Sequence, residues 1–559
     1  DVLAATTRIP VTTLAPRDRA DHQLMSAQLG FLVRQLGVLR NHQRAIDTYV
    51  SEPFRGVDWQ IQQMLPLPAG LLGREDEWQL VVTRTAAIPA YLMVAQANLL
   101  AGKRAGNVPD KRMVQRDGIN GSRDNSAYFR TTLPRTAQQF IGARPFAQPM
   151  LAQIGGAGIA AAAAWDQFGA FLTQNFDVNE TVDRYAAGET DYEWRLHNVL
   201  RDPRTPAELY EYGAAQVALY TGRIVDVARE FSADGKMNLA FGTEAERYAS
   251  VRRVMDFLSK DSPRNDDQLF KWYRDAGGRA VDYGREHKLF DIPASYQLEV
   301  VPTPPVLRST IDAAYYPAPP FKKGGAGRFY LTPTGNDADT LKINNFASVA
   351  DTAIHEGFPG HDWHYRYMNE HASEISNIRW LTPGAVEDSS SMWSDSMATE
   401  GWGLYSEELM AEAVPNHKYG FYNAGEYLYE LQGQLLRAVR IRVDVGLHTG
   451  RMSFDAAIDY FTQHVSFAPG ARARAATDPA SRAIADGATR AIYRYSKWPT
   501  QAITYNLGKN AIIELRDACK ARMGGAFSPR KFHERFMREG PIPAAYVREG
   551  FLDECGPQV

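Results

Sequence analysis

The chain has 559 residues, 44% of them hydrophobic and 23% charged, with a formal net charge of −3. That is the composition of a soluble globular protein with ample length for a large core. The near-balanced charge offers no basic field, so neither nucleic acid nor an anionic membrane is expected as an obligatory partner. No run approaches about eighteen consecutive apolar residues, so no membrane-spanning helix is expected. The Gly/Ala-rich stretch from Ile154 to Trp165 is too short and reads as a tightly packed helix.

Along the chain the dominant pattern is helical. From Leu24 to Tyr49 apolar residues recur at helical spacing among Arg and Gln, and Trp78 to Leu100 repeats the pattern. Pro and Gly interrupt Pro53 to Leu72, which predicts loop with short helix. Residues 102–127, rich in Gly, Asn, Asp and Arg, predict a surface loop or insertion. Helical signals return from Thr136 to Gln174 and from Glu189 to Val199. Thr205-Pro206 followed by Glu208 is a helix start, with a capping hydroxyl, Pro at the first helical position and an acid in the first turn. That helix should reach Phe231, and further helices are expected over Thr243 to Leu258 and Asp266 to Glu286. Near Phe290 the texture changes. Gln297 to Val301, Phe329 to Thr332 and Leu341 to Asn344 are β candidates, with Tyr315-Tyr316-Pro317 and a turn at Gly324 to Gly327 between them. Such strands could be purely structural, or could offer an edge to an extended peptide.

The stretch Thr352 to Asp362 reads T-A-I-H-E-G-F-P-G-H-D. Imidazole is the commonest zinc ligand, and a carboxylate beside it can take a proton from metal-bound water. His355 and His361, however, are six residues apart, which on a straight helix turns them roughly 240° from one another. Both can reach one ion only if the helix breaks between Glu356 and His361, where Pro359 and Gly360 stand. A third protein ligand is needed, and Glu400, at the start of T-E-G-W-G-L-Y, is the natural supplier. Glu407 returns to nearly the same helix face and could orient a ligand from behind. His364 is a reserve ligand or a residue just behind the site. Cys519 and Cys555 lack CxxC neighbours, which argues against a cysteine-based metal site. They form either one disulfide, in an oxidising compartment, or two free thiols.

H-E-G-F-P-G-H resembles the His-Glu-x-x-Pro-Gly-His signature of the bacterial family called domain-of-unknown-function 885. E-G-W-G-L-Y-S-E is similar to its second signature, Glu-Gly-Trp-Ala-x-Tyr-x-Glu, with Gly403 in place of Ala. Arg437-Ala438-Val439-Arg440, Asp444-x-Gly446-Leu447-His448, Arg494-Tyr495, Trp498-Pro499 and Gln501-x-x-x-Tyr505-x-x-Gly508 extend the resemblance to the C-terminus. The N-terminal half matches mainly in helical style and in the segment at 205–213. One departure is Asp362, where the family often has a second adjacent His. This favours His361 as the ligand.

The resemblance implies a mainly α, gluzincin-like, two-lobed metallopeptidase fold with a small β-sheet near the active site. The lobes would be residues 1–290 and 291–559, forming one continuous unit with a cleft that admits short or unfolded chains. It also implies one Zn2+ per chain and a peptidase, many members being exported or lipid-anchored. A periplasmic or secreted bacterial protein is thus expected, with a cytoplasmic one still open. The chain begins Asp1-Val2-Leu3, which fits a processed secreted protein or a trimmed chain equally. The expected roles are His355, His361 and Glu400 as metal ligands, Glu356 as general base and Tyr505 as oxyanion donor. Arg494, Arg440 and Tyr316 would contact substrate, the arginines serving either a substrate carboxylate or a structural ion pair. The expected partner is a peptide or small amide. A hydrolase of a non-peptide amide or ester, or an inactive binding protein on the same scaffold, are the alternatives. Oligomeric state is not legible.

Overall fold

A computed structural model describes residues 1–62, 64, 66–176, 185–235, 237–303, 314–316, 328–380 and 396–556. The expected turn at Gly324 to Gly327 and Pro317 lie outside them. The fold is mainly α with a small three-stranded sheet, as expected, and a two-stranded antiparallel pair, Pro66–Leu67 with Leu71–Leu72.

Three apolar cores organise most of the helices. The first is built within residues 46–176, where helices Ile46–Gln62, Glu75–Arg104 and Ala147–Asn175 bury Trp78, Phe129, Trp165 and Phe168. The second lies between helix Pro206–Asp234 and helix Ala424–His448, which pack along much of their lengths. The third surrounds Phe290, Phe358, Trp363 and Trp402. It draws on the N-terminal helix Pro16–Val33 and the C-terminal helix Ala544–Glu554, so elements from both sides of residue 290 share it.

Local sequence explains several boundaries. Thr205 accepts from the Glu208 amide at 3.2 Å while Glu208 accepts from the Thr205 amide at 2.8 Å, a reciprocal cap that starts helix Pro206–Asp234. Thr243 with Glu246 and Asn423 with Glu426 repeat the device.

Elsewhere the structure departs from expectation. Helix Ile46–Gln62 runs through Pro53, where loop was expected, and the Leu24 to Tyr49 pattern is broken near Arg40, whose φ is 47°. Residues 102–127 are not a surface loop. After a turn and irregular segment at 105–110, short helix Lys111–Met113, a π-helical stretch at Val114–Asn120 and helix Gly121–Ala127 follow, with Val114, Gly118 and Ser122 buried. Polar side chains there satisfy backbone groups: Ser122 donates to the Gly118 carbonyl at 2.6 Å and Asn125 to that of Val50 at 2.9 Å. Leu341 to Asn344 belongs to helix Ala338–Ile343 and its C-terminal end, not to a strand. Helix Glu75–Arg104 is long and apolar enough to cross a membrane by length and composition, although such a helix was not expected. In this fold it turns Trp78, Ile88, Leu92 and Leu99 into the first core.

The larger sheet has three short strands. Val300–Pro302 runs parallel to the central strand Phe329–Leu331, and Ala314–Tyr315 runs antiparallel on its other side. Tyr315 and Tyr330 oppose one another with stacked rings 5.2 Å apart. The sheet buries Val300, Phe329 and Leu331 against helices Asp266–Glu286 and Phe346–Glu356, and strand Ala314–Tyr315 touches the latter.

Cys519 and Cys555 are joined in a disulfide with Cα atoms 5.2 Å apart. It ties helix Thr504–Met523 to the end of the chain across a sequence separation of 36 residues. Loop-closure entropy assigns such a link about 3 to 4 kcal/mol. Replacing both cysteines with Ser should lower the denaturant-derived stability by that order; an unchanged midpoint would show that the link does not restrain the unfolded chain.

Candidate metal centre

The helix bearing the first expected ligand is capped by Asn345, which accepts from the Ser348 amide at 3.2 Å, and spans Phe346–Glu356. It stops there. Gly357 (φ −104°, ψ −113°) and Gly360 (φ −71°, ψ −132°) leave helical conformation, and a new helix, His361–Glu370, begins. The break required by the six-residue spacing is present. It is held from inside, the Gly360 amide donating to the Ile354 carbonyl at 3.1 Å, and from outside, the Trp402 indole donating to the Pro359 carbonyl at 2.8 Å. A Cβ on Gly360 would lie 1.9 Å from the His355 carbonyl oxygen, so no larger residue fits this fold-back.

Glu400 comes from helix Ser396–Ala411, which crosses helix Thr504–Met523 in close contact. At the crossing, a Cβ on Gly401 would meet the Gly508 backbone at 2.7 Å. This glycine-on-glycine approach brings the turns carrying Glu400 and Tyr505 close together, Glu400 at the Nε2 edge of the His355 ring and Tyr505 stacked beside it.

His355, His361 and Glu400 converge, each offering one ligand atom, all within 4.8 Å of one another. His355 Nε2 is 3.1 Å and His361 Nε2 3.6 Å from Glu400 Oε2, and the two imidazoles stand 86° apart. His355 is fixed from behind by Glu407, whose Oε1 lies 2.6 Å from Nδ1, leaving Nε2 directed at the cluster. Arg437 approaches the same Glu407 oxygen at 3.6 Å. Two nitrogens and one carboxylate oxygen, with a carboxylate behind one imidazole, form a donor set suited to zinc.

The electrostatics favour positive charge here. Burial opposes the ionised form of Glu400, yet hydrogen bonds with His355 and His361 hold its pKa well below the usual carboxylate range. Burial likewise opposes a charged His355, but Glu400 and Glu407 outweigh it and lift the imidazole to about 10. Glu356 is pushed up by burial, against the attraction of His361 and His355. No hydrogen bond joins its carboxyl to another described residue. Tyr505 stacks beside His355 with ring centroids 6.4 Å apart, and burial, then the charge of Glu400, raises it to about 12. Its phenol therefore stays protonated at neutral pH.

The remaining expected residues divide. Arg440 and Arg494 both act electrostatically on Tyr505, and the Arg440 guanidinium lies 4.7 Å from its ring centre. His364 does not join the cluster. It is fully buried against Trp402 and Tyr365, where burial drives it down to about 3. Tyr316 stacks on Tyr365 at 5.8 Å and packs against the apolar cluster of the sheet. Asp362 turns to Tyr296 and Arg366, accepting from the phenol at 2.8 Å. Sequence reasoning gave no role to Asp351, one turn before His355 on the same helix. Its buried carboxyl is raised by burial and then by Glu407, with Arg437 opposing. The i, i+4 spacing of Asp351 and His355 was the available signal.

A family model described as "Bacterial protein of unknown function (DUF885)" matches residues 1–550. Two solved structures, each called a "putative lipoprotein", share the fold. That from Shewanella oneidensis is 19% identical with a TM-score of 0.69, over 98% of this chain and 90% of its own. That from Colwellia psychrerythraea is 19% identical with a TM-score of 0.73, over 99% and 89%. No curated protein matches the chain.

Two glycines separate backbone from side-chain tolerance in the cluster. A Cβ on Gly403 would lie 2.6 Å from His355 Cε1, a ring that can shift, whereas that on Gly360 meets backbone. Gly360→Ala should cost about 3 kcal/mol in chemical denaturation and Gly403→Ala clearly less. Equal costs would contradict the fold-back described.

Proposed function

The chain belongs to the DUF885 family of bacterial proteins of unknown function, and we propose that it is a zinc-dependent hydrolase that cleaves peptide bonds of short peptides. The observation carrying this reading is the convergence of His355, His361 and Glu400 with a half-buried Glu356, next in sequence to the first of them, whose carboxyl hydrogen-bonds to no described residue. A purely structural metal site has no use for that carboxylate.

His355 Nε2, His361 Nε2 and a Glu400 oxygen would hold the ion. Zinc bound there supplies a Lewis acid that lowers the pKa of a water and polarises the scissile carbonyl. Glu356 accepts the proton of the attacking water as its oxygen bonds to the carbonyl carbon. It returns that proton to the nitrogen as the C–N bond breaks, releasing a carboxylate and an amine. A carboxyl raised by burial is better matched to this two-way transfer than an ordinary one. Tyr505 donates its phenolic hydrogen to the carbonyl oxygen as charge develops there. Glu407 keeps the His355 Nδ1 side occupied, so the ring presents Nε2.

An envelope or secreted location accompanies this reading. Its supports are the disulfide, which persists in oxidising compartments, and the two structural relatives called lipoproteins.

Chelation should abolish peptide hydrolysis, and one equivalent of zinc should restore it. Glu356→Gln should retain zinc and lose about 10²- to 10⁴-fold in kcat. Hydrolysis that survives chelation, or an unimpaired Glu356→Gln enzyme, would refute the mechanism; activity confined to acylated small molecules would refute the peptide substrate. Glu407→Gln should weaken zinc binding about tenfold to hundredfold in a chromophoric chelator competition, and unchanged affinity would remove Glu407 from the account.

A further inference from the structure

Arg437 and Arg440 lie three residues apart on helix Ala424–His448, so both project to one side, over the ring of Tyr505. Helix Pro479–Lys497 adds Arg494, whose charge also acts on Tyr505. Arg437 is engaged with Glu407. Arg440 is different. Its Nε donates to the Tyr495 hydroxyl at 2.8 Å, which fixes the plane of the guanidinium, but its two terminal nitrogens make no hydrogen bond or ion pair to any described residue. Arg440 is half-buried, not splayed into solvent. A pre-oriented, partly desolvated guanidinium fork beside a catalytic phenol is the arrangement that receives a carboxylate through two parallel hydrogen bonds.

The separations limit where that carboxylate can be. The His355 ring is 6.4 Å from the Tyr505 ring centre, and the Arg440 guanidinium carbon 4.7 Å from the same point. Laid end to end, these distances span no more than about three residues of extended chain. We propose that the Arg440 fork anchors the substrate's C-terminal α-carboxylate, so that the protein is an exopeptidase cutting within about three residues of the C-terminus. This rests on the peptidase reading above. An aspartate or glutamate side chain presents the same chemistry, and the test distinguishes the two.

Matched peptides ending in a free acid or an amide, each with and without an acidic side chain near the terminus, are incubated with the zinc-loaded protein, and the products are weighed by mass spectrometry. The free acid should be favoured about tenfold to hundredfold in kcat/KM, with products shortened only at the C-terminus. Arg440→Gln should erase that preference by raising KM for the acid at least about tenfold more than for the amide, and Arg440→Lys should restore part of it. Calorimetry with the Glu356→Gln protein should show tighter binding of acid than amide, lost when Arg440→Gln is added. Equal rates for acid and amide, an equal slowing of both by Arg440→Gln, or dependence on the side-chain acid instead of the terminus would overturn the inference while leaving the peptidase reading standing. Hydrolysis of no peptide at all would remove both.

Discussion

The 2.6 Å contact between Glu407 and Nδ1 of His355 is the interaction on which the rest of the centre depends. A histidine has two nitrogens and one ring plane, and what happens at one nitrogen decides what the other can do. With Nδ1 held by a fully buried carboxylate, Nε2 faces Glu400 and His361. Glu407 is placed by its spacing from Glu400 along one helix, so a single helix supplies both a member of the cluster and the support for another. Arg437 stands behind Glu407, and the buried Asp351 carboxyl interacts with both, extending the chain of polar contacts into helices Ala424–His448 and Phe346–Glu356.

Around this contact the backbone is shaped by close approach. Gly360 allows the chain to fold over the His355 carbonyl, and Gly401 against Gly508 brings two helices near enough for Glu400 and Tyr505 both to reach His355. The indole of Trp402 fastens the fold-back to the Glu400 helix, so the two halves of the donor set are held by one hydrogen bond between rigid elements. The apolar mass behind it, with Trp402 stacked on Phe536 and Phe290 packed on Phe358 and Trp363, supplies the rigidity.

Much of the centre was legible because its chemistry is written in short spacings. His355, Glu356, His361 and Glu400 come from two compact motifs, and the six-residue histidine spacing itself demanded the break that the backbone makes. Tyr505 and the arginines were visible as residues, but their convergence is a property of helix crossings that no local pattern encodes. His364 shows the limit in the other direction: a histidine near the motif is buried against Trp402 and takes no part in the cluster. The fold was read best where caps and periodicity agree, as at Thr205 with Glu208. It was misread at residues 102–127, because Ser122 and Asn125 look like loop residues until their buried backbone partners are known. Pro53 misled for a related reason, since tertiary packing of helix Ile46–Gln62 overrides the local penalty.

The central claim is that His355, His361 and Glu400 bind one zinc ion. Anomalous diffraction at the zinc absorption edge, from crystals of the zinc-equilibrated protein, tests it directly. The account predicts a single strong peak per chain within bonding distance, about 2.0 to 2.2 Å, of His355 Nε2, His361 Nε2 and a Glu400 oxygen. An anomalous map with no peak there, or with zinc held elsewhere in the chain, would contradict it.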